Sequence, residues 1–441
     1  MRILYYNENM NMKNKARLVD VNMGYGHQRT AYPLRDLALE GKIINANSYQ
    51  GIPEKDRKIW ENSRKSYEFI SRIKRIPLIG DFAFGIFDKF QEILSYYPKR
   101  DLSKPNFALK KIHSLIEKGW GEDLIEKLKK NSLPLITTFF SPAFMAEVFN
   151  YPNEIFCIVC DADIARTWAP LNPSKSKIKY FAPNNWAVER LKLYGVKEEN
   201  IFLSGYPLPK ENIGTEKMEI LKSDLKNRIV NLDPGKIYHR QYKPIIENYL
   251  GTLPKNSDHP LTIMFSIGGA GAQKEIAVKA IKSLSKKIKN QEIKVILVAG
   301  IKKDIKEYFL ENIKKMGLID CLDKNIEVVF SEEIKDYFEI FNQKLRKTDI
   351  LWTKPSELSF YTALGLPIVI APSIGSQEDF NKRWLLRLGS GILQEDPRYI
   401  DEWLFDYLKG GRLAESALGG FIEAEKLGTF NIEKILSKCS G

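Results

Sequence analysis

Apolar positions along this chain fall into short runs separated by stretches of helical spacing. Residues 18–23 form the first run, short and rich in branched side chains, which suits a buried strand. A helix is expected over residues 28–39. Further strands are expected at 133–140, 154–160, 177–181 and 201–204, with helices at 142–149 and 185–194. After a polar stretch punctuated by Pro, Asn and Lys at 209–260, the alternation restarts. It predicts strands at 261–267, 293–298, 326–330, 349–352 and 367–370, a helix at 273–288 and a terminal helix at 432–436. Short strands alternating with helices argue for parallel sheets. The expected class is therefore α/β, with two Rossmann-like doubly wound domains facing across a cleft. The domains are expected at 1–250 and 258–424, joined by a hinge near 245–260, with 425–441 packing back on the first.

At 441 residues the chain is long enough for two cores, and 44% hydrophobic content is ample to fill them. The formal charge of +13 favours anionic partners. No nucleic-acid module is present, so nucleic acid is not an expected partner. Four cysteines are too few for a disulfide framework, and Cys157 and Cys160 lie in a strand-like run as reduced core thiols. The first residues are too short an apolar run for a signal peptide, and no run approaches a spanning helix. These features predict a cytoplasmic protein, free or held at the cytoplasmic membrane face. Residues 60–90 carry the case for a membrane surface. Trp60, Tyr67, Ile70 and Ile73 recur at helical spacing among Arg64, Lys65, Arg72, Lys74 and Arg75, and an apolar segment broken by Pro77, Gly80 and Gly85 follows. Two readings stand: a helical hairpin packed on the sheet, or an interfacial element meeting anionic headgroups.

Candidate chemistry lies where strands end. Gly24, Gly26 and His27 follow the first strand, in a turn where backbone amides can meet a polar ligand. Gly268, Gly269 and Gly271 hold the matching place after the strand at 261–267. Lys354, Ser356 and Glu357 follow the strand at 349–352, with Pro355 fitting a first helical turn. Free amides there, with Lys354 beside them, suit a diphosphate, and Glu357 suits a ribose hydroxyl. Gln377, Glu378 and Asn381 form an acid- and amide-rich segment of the kind that reads sugar hydroxyls.

In order along the chain, Gly24-x-Gly26-His27-x-x-x-Ala31, Gly205-x-Pro207, Gly268-Gly269, Thr353-Lys354-Pro355, Gly365-Leu366-Pro367 and Gln377-x-x-x-Asn381 resemble glycosyltransferase family 28 of the GT-B fold. That family includes monogalactosyldiacylglycerol synthase, processive diacylglycerol glucosyltransferases and the N-acetylglucosaminyltransferase of lipid II synthesis. The resemblance covers about Leu18 to Gly391, and Asp161 and Trp168 resemble a segment of its lipid-glycosylating branch. It implies inverting, metal-independent transfer of a sugar from a nucleoside diphosphate, usually UDP, to a hydroxyl of a lipid or other membrane-proximal acceptor. No cofactor beyond the nucleotide-sugar substrate is implied. His27 would be the acceptor-side base, a role that an imidazole near neutral pH suits, or its positioning group, and Asp161 would orient the acceptor or share the base role. Gly268 to Gly271, Lys354 and Ser356 would hold the diphosphate, and Gln377, Glu378 and Asn381 the donor sugar.

The chain departs from the family pattern at three places: Phe360 stands where the family has a ribose-binding Glu, Pro209 where it has an Arg, and Arg166 where it has a His. Two alternatives therefore stay open. One is a nucleotide-sugar epimerase or hydrolase using Asp161, Asp163 and Glu357, and the other is a non-catalytic binding protein of the same fold.

Overall fold

The computed structural model describes residues 15–73, 92–266, 273–373 and 375–439. The chain divides into two compact units, one of Met1–Leu208, Ile374–Phe380 and Leu427–Gly441, the other of Pro209–Ser373 and Asn381–Lys426. Each unit is built on one six-stranded sheet, and all neighbouring strands are parallel. The expected α/β class with two doubly wound sheets is what the structure has.

In the first unit the strands are β1 (Ala16–Asp20), β2 (Ala38–Asn45), β3 (Leu135–Thr137), β4 (Ile155–Ile158), β5 (Lys179–Ala182) and β6 (Ile201–Leu203), in spatial order β2-β1-β3-β4-β5-β6. Inner strands are apolar on both faces because helices cover both. Ala16, Leu18, Ile136, Phe156, Ile158 and Phe181 pack on one side with Ala31, Leu34, Ile432 and Leu436. Val19, Leu135, Cys157 and Tyr180 fill the other. Helix α1 (Tyr25–Ala31) follows β1, and Tyr32–Leu34 continues as a 3-10 turn. The helix expected over 28–39 is thus cut short, because Pro33 sits in that turn and Leu39 already belongs to β2. β2 escapes the apolar pattern because it is an edge strand, largely solvent-facing from Leu39 to Lys42. The C-terminal helix, Gly428–Cys439, is anchored by Thr429 Oγ1 donating to the Leu208 carbonyl (2.6 Å) and Asn431 Nδ2 donating to that of Ser204 (2.8 Å). Only glycine fits at 428, where a Cβ would lie 2.1 Å from the Tyr206 carbonyl oxygen.

In the second unit the strands are β7 (Thr262–Ser266), β8 (Lys294–Gly300), β9 (Ile326–Phe330), β10 (Ile350–Thr353), β11 (Ile368–Ile370) and β12 (Gly391–Leu393), in order β12-β11-β10-β7-β8-β9. The helices Lys210–Ile213, Glu219–Leu232 and Ile237–Leu250 belong here, so the division falls at Leu208 rather than at the expected residue 250. Their polar side chains look like linker composition but turn inward. Arg228, fully buried, donates to the carbonyls of Thr348 (2.8 Å) and Leu364 (2.6 Å), and Asn212 Nδ2 donates to that of Asn342 (2.9 Å). Among the described residues no carboxylate forms an ion pair with that guanidinium, and burial pushes its pKa below the usual arginine value against the pull of Asp349 and Asp224.

Arg228 therefore acts as a pin joining two loops of the second unit. Replacing it by Met keeps the volume but leaves the carbonyls unsatisfied. Arg228→Met should lower stability by about 2–4 kcal/mol in urea unfolding; a change under about 0.5 kcal/mol would show that the pin carries nothing.

Candidate functional site

In a doubly wound sheet, a crevice opens at the carboxyl edge where successive connections leave in opposite directions. In the first sheet that point lies between β1 and β3, since the chain runs from β1 to β2 on one side and then crosses to β3 on the other. His27, in the first turn of α1, stands there. Its Nδ1 lies 2.7 Å from the carbonyl oxygen of Thr138, the residue after β3. A carbonyl only accepts, so Nδ1 carries the hydrogen, and in the neutral ring Nε2 carries the lone pair. The ring meets Phe139 edge-on at 4.8 Å and lies 6.3 Å from Trp168. Cys160 Sγ donates to the same Thr138 carbonyl (3.2 Å).

Local backbone chemistry explains the position of the ring. Gly24 caps α1 at φ +104°, a conformation that L side chains rarely adopt, and Gly26 lies one turn below Thr30. Thr30 Oγ1 donates to the Gly26 carbonyl (2.7 Å), so the Tyr206 hydroxyl, 3.0 Å away, donates to Thr30. The Gly205–Pro207 segment thereby braces the glycine turn.

Asp161 lies half-buried in the loop after β4. Asp163 is committed elsewhere: Arg190 Nε and Nη2 clamp it at 2.8 Å each, and the pair is buried. Burial raises its carboxyl pKa against the pull of Arg190. As a carboxylate held in that fork, Asp163 is not the acid or base expected of it in the epimerase reading. Arg166 has a structural task as well. It donates to the carbonyls of Ser103 (3.0 and 2.6 Å), Ala169 (2.7 Å) and Pro170 (2.9 Å), closing the turn that presents Trp168 to Phe139 and Phe140.

Asp20 was not singled out by the sequence, because an aspartate ending an apolar strand looks like an ordinary strand terminus. It closes β1 at the same carboxyl edge and is 6% exposed. Asn45 Nδ2 donates to its Oδ1 at 2.7 Å, and burial pushes its pKa up to about 6.

In the second sheet the strand order reverses between β7 and β10. At that carboxyl edge a small pocket is lined by Phe265, Ser266, Gln273, Thr353, Lys354 and Ala371 among others. Gly268, Gly269 and Gly271 lie outside the described residues. Gln273, the next described residue, has φ +72°, rare for a residue with a side chain, and its Nε2 donates to the Pro372 carbonyl (2.7 Å). Lys354 and Ser356 follow β10. Pro355 precedes the helix rather than opening it, and that helix, Glu357–Leu364, is a 3-10 helix to which Ser356 gives no side-chain cap. Asn381 Nδ2 donates to the Pro355 carbonyl (3.2 Å), which ties the helix Ser376–Arg387 to the Lys354–Ser356 loop. Gln377 and Glu378 occupy the first turn of that helix, with Glu378 buried. Phe360 is core, 2% exposed and packed on Trp384 at 5.0 Å, while Glu357, one turn earlier, is half-buried.

Two of the three remaining histidines have structural surroundings. His113 stacks on Phe144 (5.1 Å), and His259 lies between Asp258 and Asp349 at the amino edge of β7 and β10. Of the proposed membrane element, residues 74–91 lie outside the described residues. Trp60 belongs to the core, edge-on to Trp120 at 4.9 Å. No helix of the described residues is long and apolar enough to cross a membrane.

Residues 253–396 match a family model described as a domain of unknown function, DUF6938, about a third of the chain. No curated protein matches the sequence. Solved structures of similar architecture include MurG of Acinetobacter baumannii (13% identity, 96% of this chain and 99% of that one, TM-score 0.47). A UDP-GlcNAc 2-epimerase of Neisseria meningitidis bound to UDP-GlcNAc is another (13%, 96% and 98%, TM-score 0.45). A glycosyltransferase of Rickettsia africae is a third (14%, 97% and 99%, TM-score 0.41). Identities this low leave the likeness as one of chain architecture.

Asp20 has a measurable signature. Its folded pKa lies above the usual carboxylate value, so the folded state favours the acid. Stability is undiminished below about pH 4 and falls as pH rises towards 6, and above that the ionised group costs about 3 kcal/mol. Asp20→Asn keeps an acceptor for Asn45 and removes the charge. It should raise stability by about 1–3 kcal/mol at pH 7.5 and by nothing at pH 4 in urea unfolding; an equal change at both values would contradict the assignment.

Proposed function

We propose that the protein is a nucleotide-sugar enzyme that transfers a glycosyl group to an acceptor hydroxyl with inversion. The observation that carries this reading is His27 at the reversal point of the first sheet, with Nδ1 committed to the Thr138 carbonyl and Nε2 as the proton-accepting nitrogen. Such an imidazole removes a proton from a hydroxyl as that oxygen attacks the anomeric carbon, and the nucleoside diphosphate leaves with the bonding electron pair. Asp161 serves as a second acceptor-side group. The Gly24–Gly26 turn supplies backbone that can approach a ligand closely.

The second unit takes the donor. Lys354, at the carboxyl edge of β10, supplies positive charge for the diphosphate, and Ser356 supplies a hydroxyl and an amide. Asn381 holds the loop that bears them. Glu357 replaces the ribose-binding carboxylate that Phe360 does not provide. Gly268, Gly269 and Gly271 belong to the same diphosphate-binding role, with UDP as the nucleotide. The chemistry requires no metal, and the acceptor is a lipid or other membrane-proximal alcohol. Residues 60–90, apart from the core residue Trp60, bring the protein to anionic bilayers at the cytoplasmic face.

Incubation with a panel of UDP-sugars and hydroxyl acceptors tests the reading. Turnover should depend on the acceptor, and His27→Ala should lower kcat by about 10²–10⁴-fold while UDP affinity in calorimetry is unchanged. Lys354→Ala should weaken UDP binding instead. Sugar product formed without acceptor would replace transfer by epimerisation or hydrolysis, and absence of nucleotide binding would leave a non-catalytic protein.

A further inference from the structure

The carboxyl ends of β1 and β2 carry a polar shelf that the proposed reaction has not used. Asn45 Nδ2 donates to Asp20 Oδ1 (2.7 Å). Asn45 Oδ1 in turn accepts from the Asn47 amide (3.1 Å) and from Ser48 Oγ (2.9 Å). Asn47 Oδ1 accepts from the Asn22 amide (2.7 Å). The side-chain carbonyls of Asn45 and Asn47 are thus occupied from within, and the orientation of both amides follows. What the shelf still offers is the Asn47 NH₂ group, half-exposed, and the second oxygen of Asp20. Among the described residues Asp20 accepts one side-chain hydrogen bond, although a carboxylate has room for several.

Asp20 is more than nine-tenths buried; burial raises its pKa and the Asn45 bond works against that. Among the described residues no Lys or Arg forms an ion pair with it. A buried carboxylate with neither cation nor full hydrogen bonding is expensive to keep and serves no packing purpose that Asn or Leu would not serve better. It does suit a ligand hydroxyl, whose hydrogen it would accept in a charge-assisted bond. Amide N–H groups beside it suit the oxygens of the same ligand. A phosphate fits badly, because the shelf would set an anion against a carboxylate with no cation to offset it.

We propose that Asp20, Asn45 and Asn47 form the subsite that takes the polar head of the acceptor, and that this head is an uncharged polyol. This rests on the glycosyl-transfer reading of the same unit and narrows its substrate class. Asp20 ends the strand from which the His27 turn departs, so head-group recognition and proton removal come from one stretch of chain.

Titration of the full-length protein with octyl β-glucoside below its micelle concentration, with glucose 6-phosphate and with UDP tests this. Octyl glucoside should bind saturably and glucose 6-phosphate should not. Asp20→Asn and Asn47→Ala should each weaken octyl glucoside binding about tenfold and leave UDP binding unchanged. Asp20→Asn should do so while the folded state becomes more stable at pH 7.5, a combination that a merely structural residue would not give. Unchanged affinity in both variants, or glucose 6-phosphate binding as tightly as the glucoside, would overturn the proposal. Binding of UDP without any glucoside binding would overturn the subsite and leave the nucleotide-sugar reading intact. Glucoside binding without UDP would do the reverse.

Discussion

Parallel strands cannot be joined by tight turns, so every connection in this protein must cross a sheet face before the next strand begins. Helices on both faces follow, and so do inner strands that are apolar throughout. Each sheet then has one place at its carboxyl edge where connections diverge and side chains from neighbouring strands face an opening rather than a helix. Between β1 and β3 that place holds His27, Thr138 and Asp20. Between β7 and β10 it holds Ser266, Thr353, Lys354 and Gln273. Nothing else in the fold would bring residues so far apart in sequence to a common edge.

Within the first unit, positioning depends on hydrogen bonds that leave little choice. The Thr138 carbonyl receives both the His27 imidazole and the Cys160 thiol. Arg166 closes the Trp168 turn by saturating four donor positions with three carbonyls. Asp163, which the sequence offers as a possible acid or base, is instead neutralised by Arg190. Carboxylates close together in sequence, Asp161 and Asp163, thus differ in what they can do because one of them is held in a guanidinium fork.

Much of this was legible in the chain. The inner strands announce themselves because burial on both faces makes them continuously apolar, and Gly24, Gly26 and His27 mark the first carboxyl edge. β2 was not legible, since an edge strand reading Ala-Leu-Glu-Gly-Lys-Ile-Ile-Asn follows neither alternation nor a continuous run. The unit boundary was misplaced because Arg228 and Asn212 look solvent-facing until their carbonyl partners are seen. Phe360 could be read as a missing ligand, but not as a core ring packed at a tilt against Trp384. Asp20 needed its burial to be known before it meant anything.

The C-terminal helix has a bearing on how the chain matures. Ile432 and Leu436 complete the face formed by Leu18, Ile136, Phe156, Ile158 and Phe181, and Thr429 and Asn431 bond to carbonyls on the far side of more than two hundred residues. During synthesis, the first sheet emerges early and its apolar face waits until residues 428–439 have been made. The second unit, contiguous apart from a short segment near residue 374, can condense in the interval. The order of translation and the order of completion are therefore reversed. Until then the nascent first unit lacks the part of that face's cover that Ile432 and Leu436 supply.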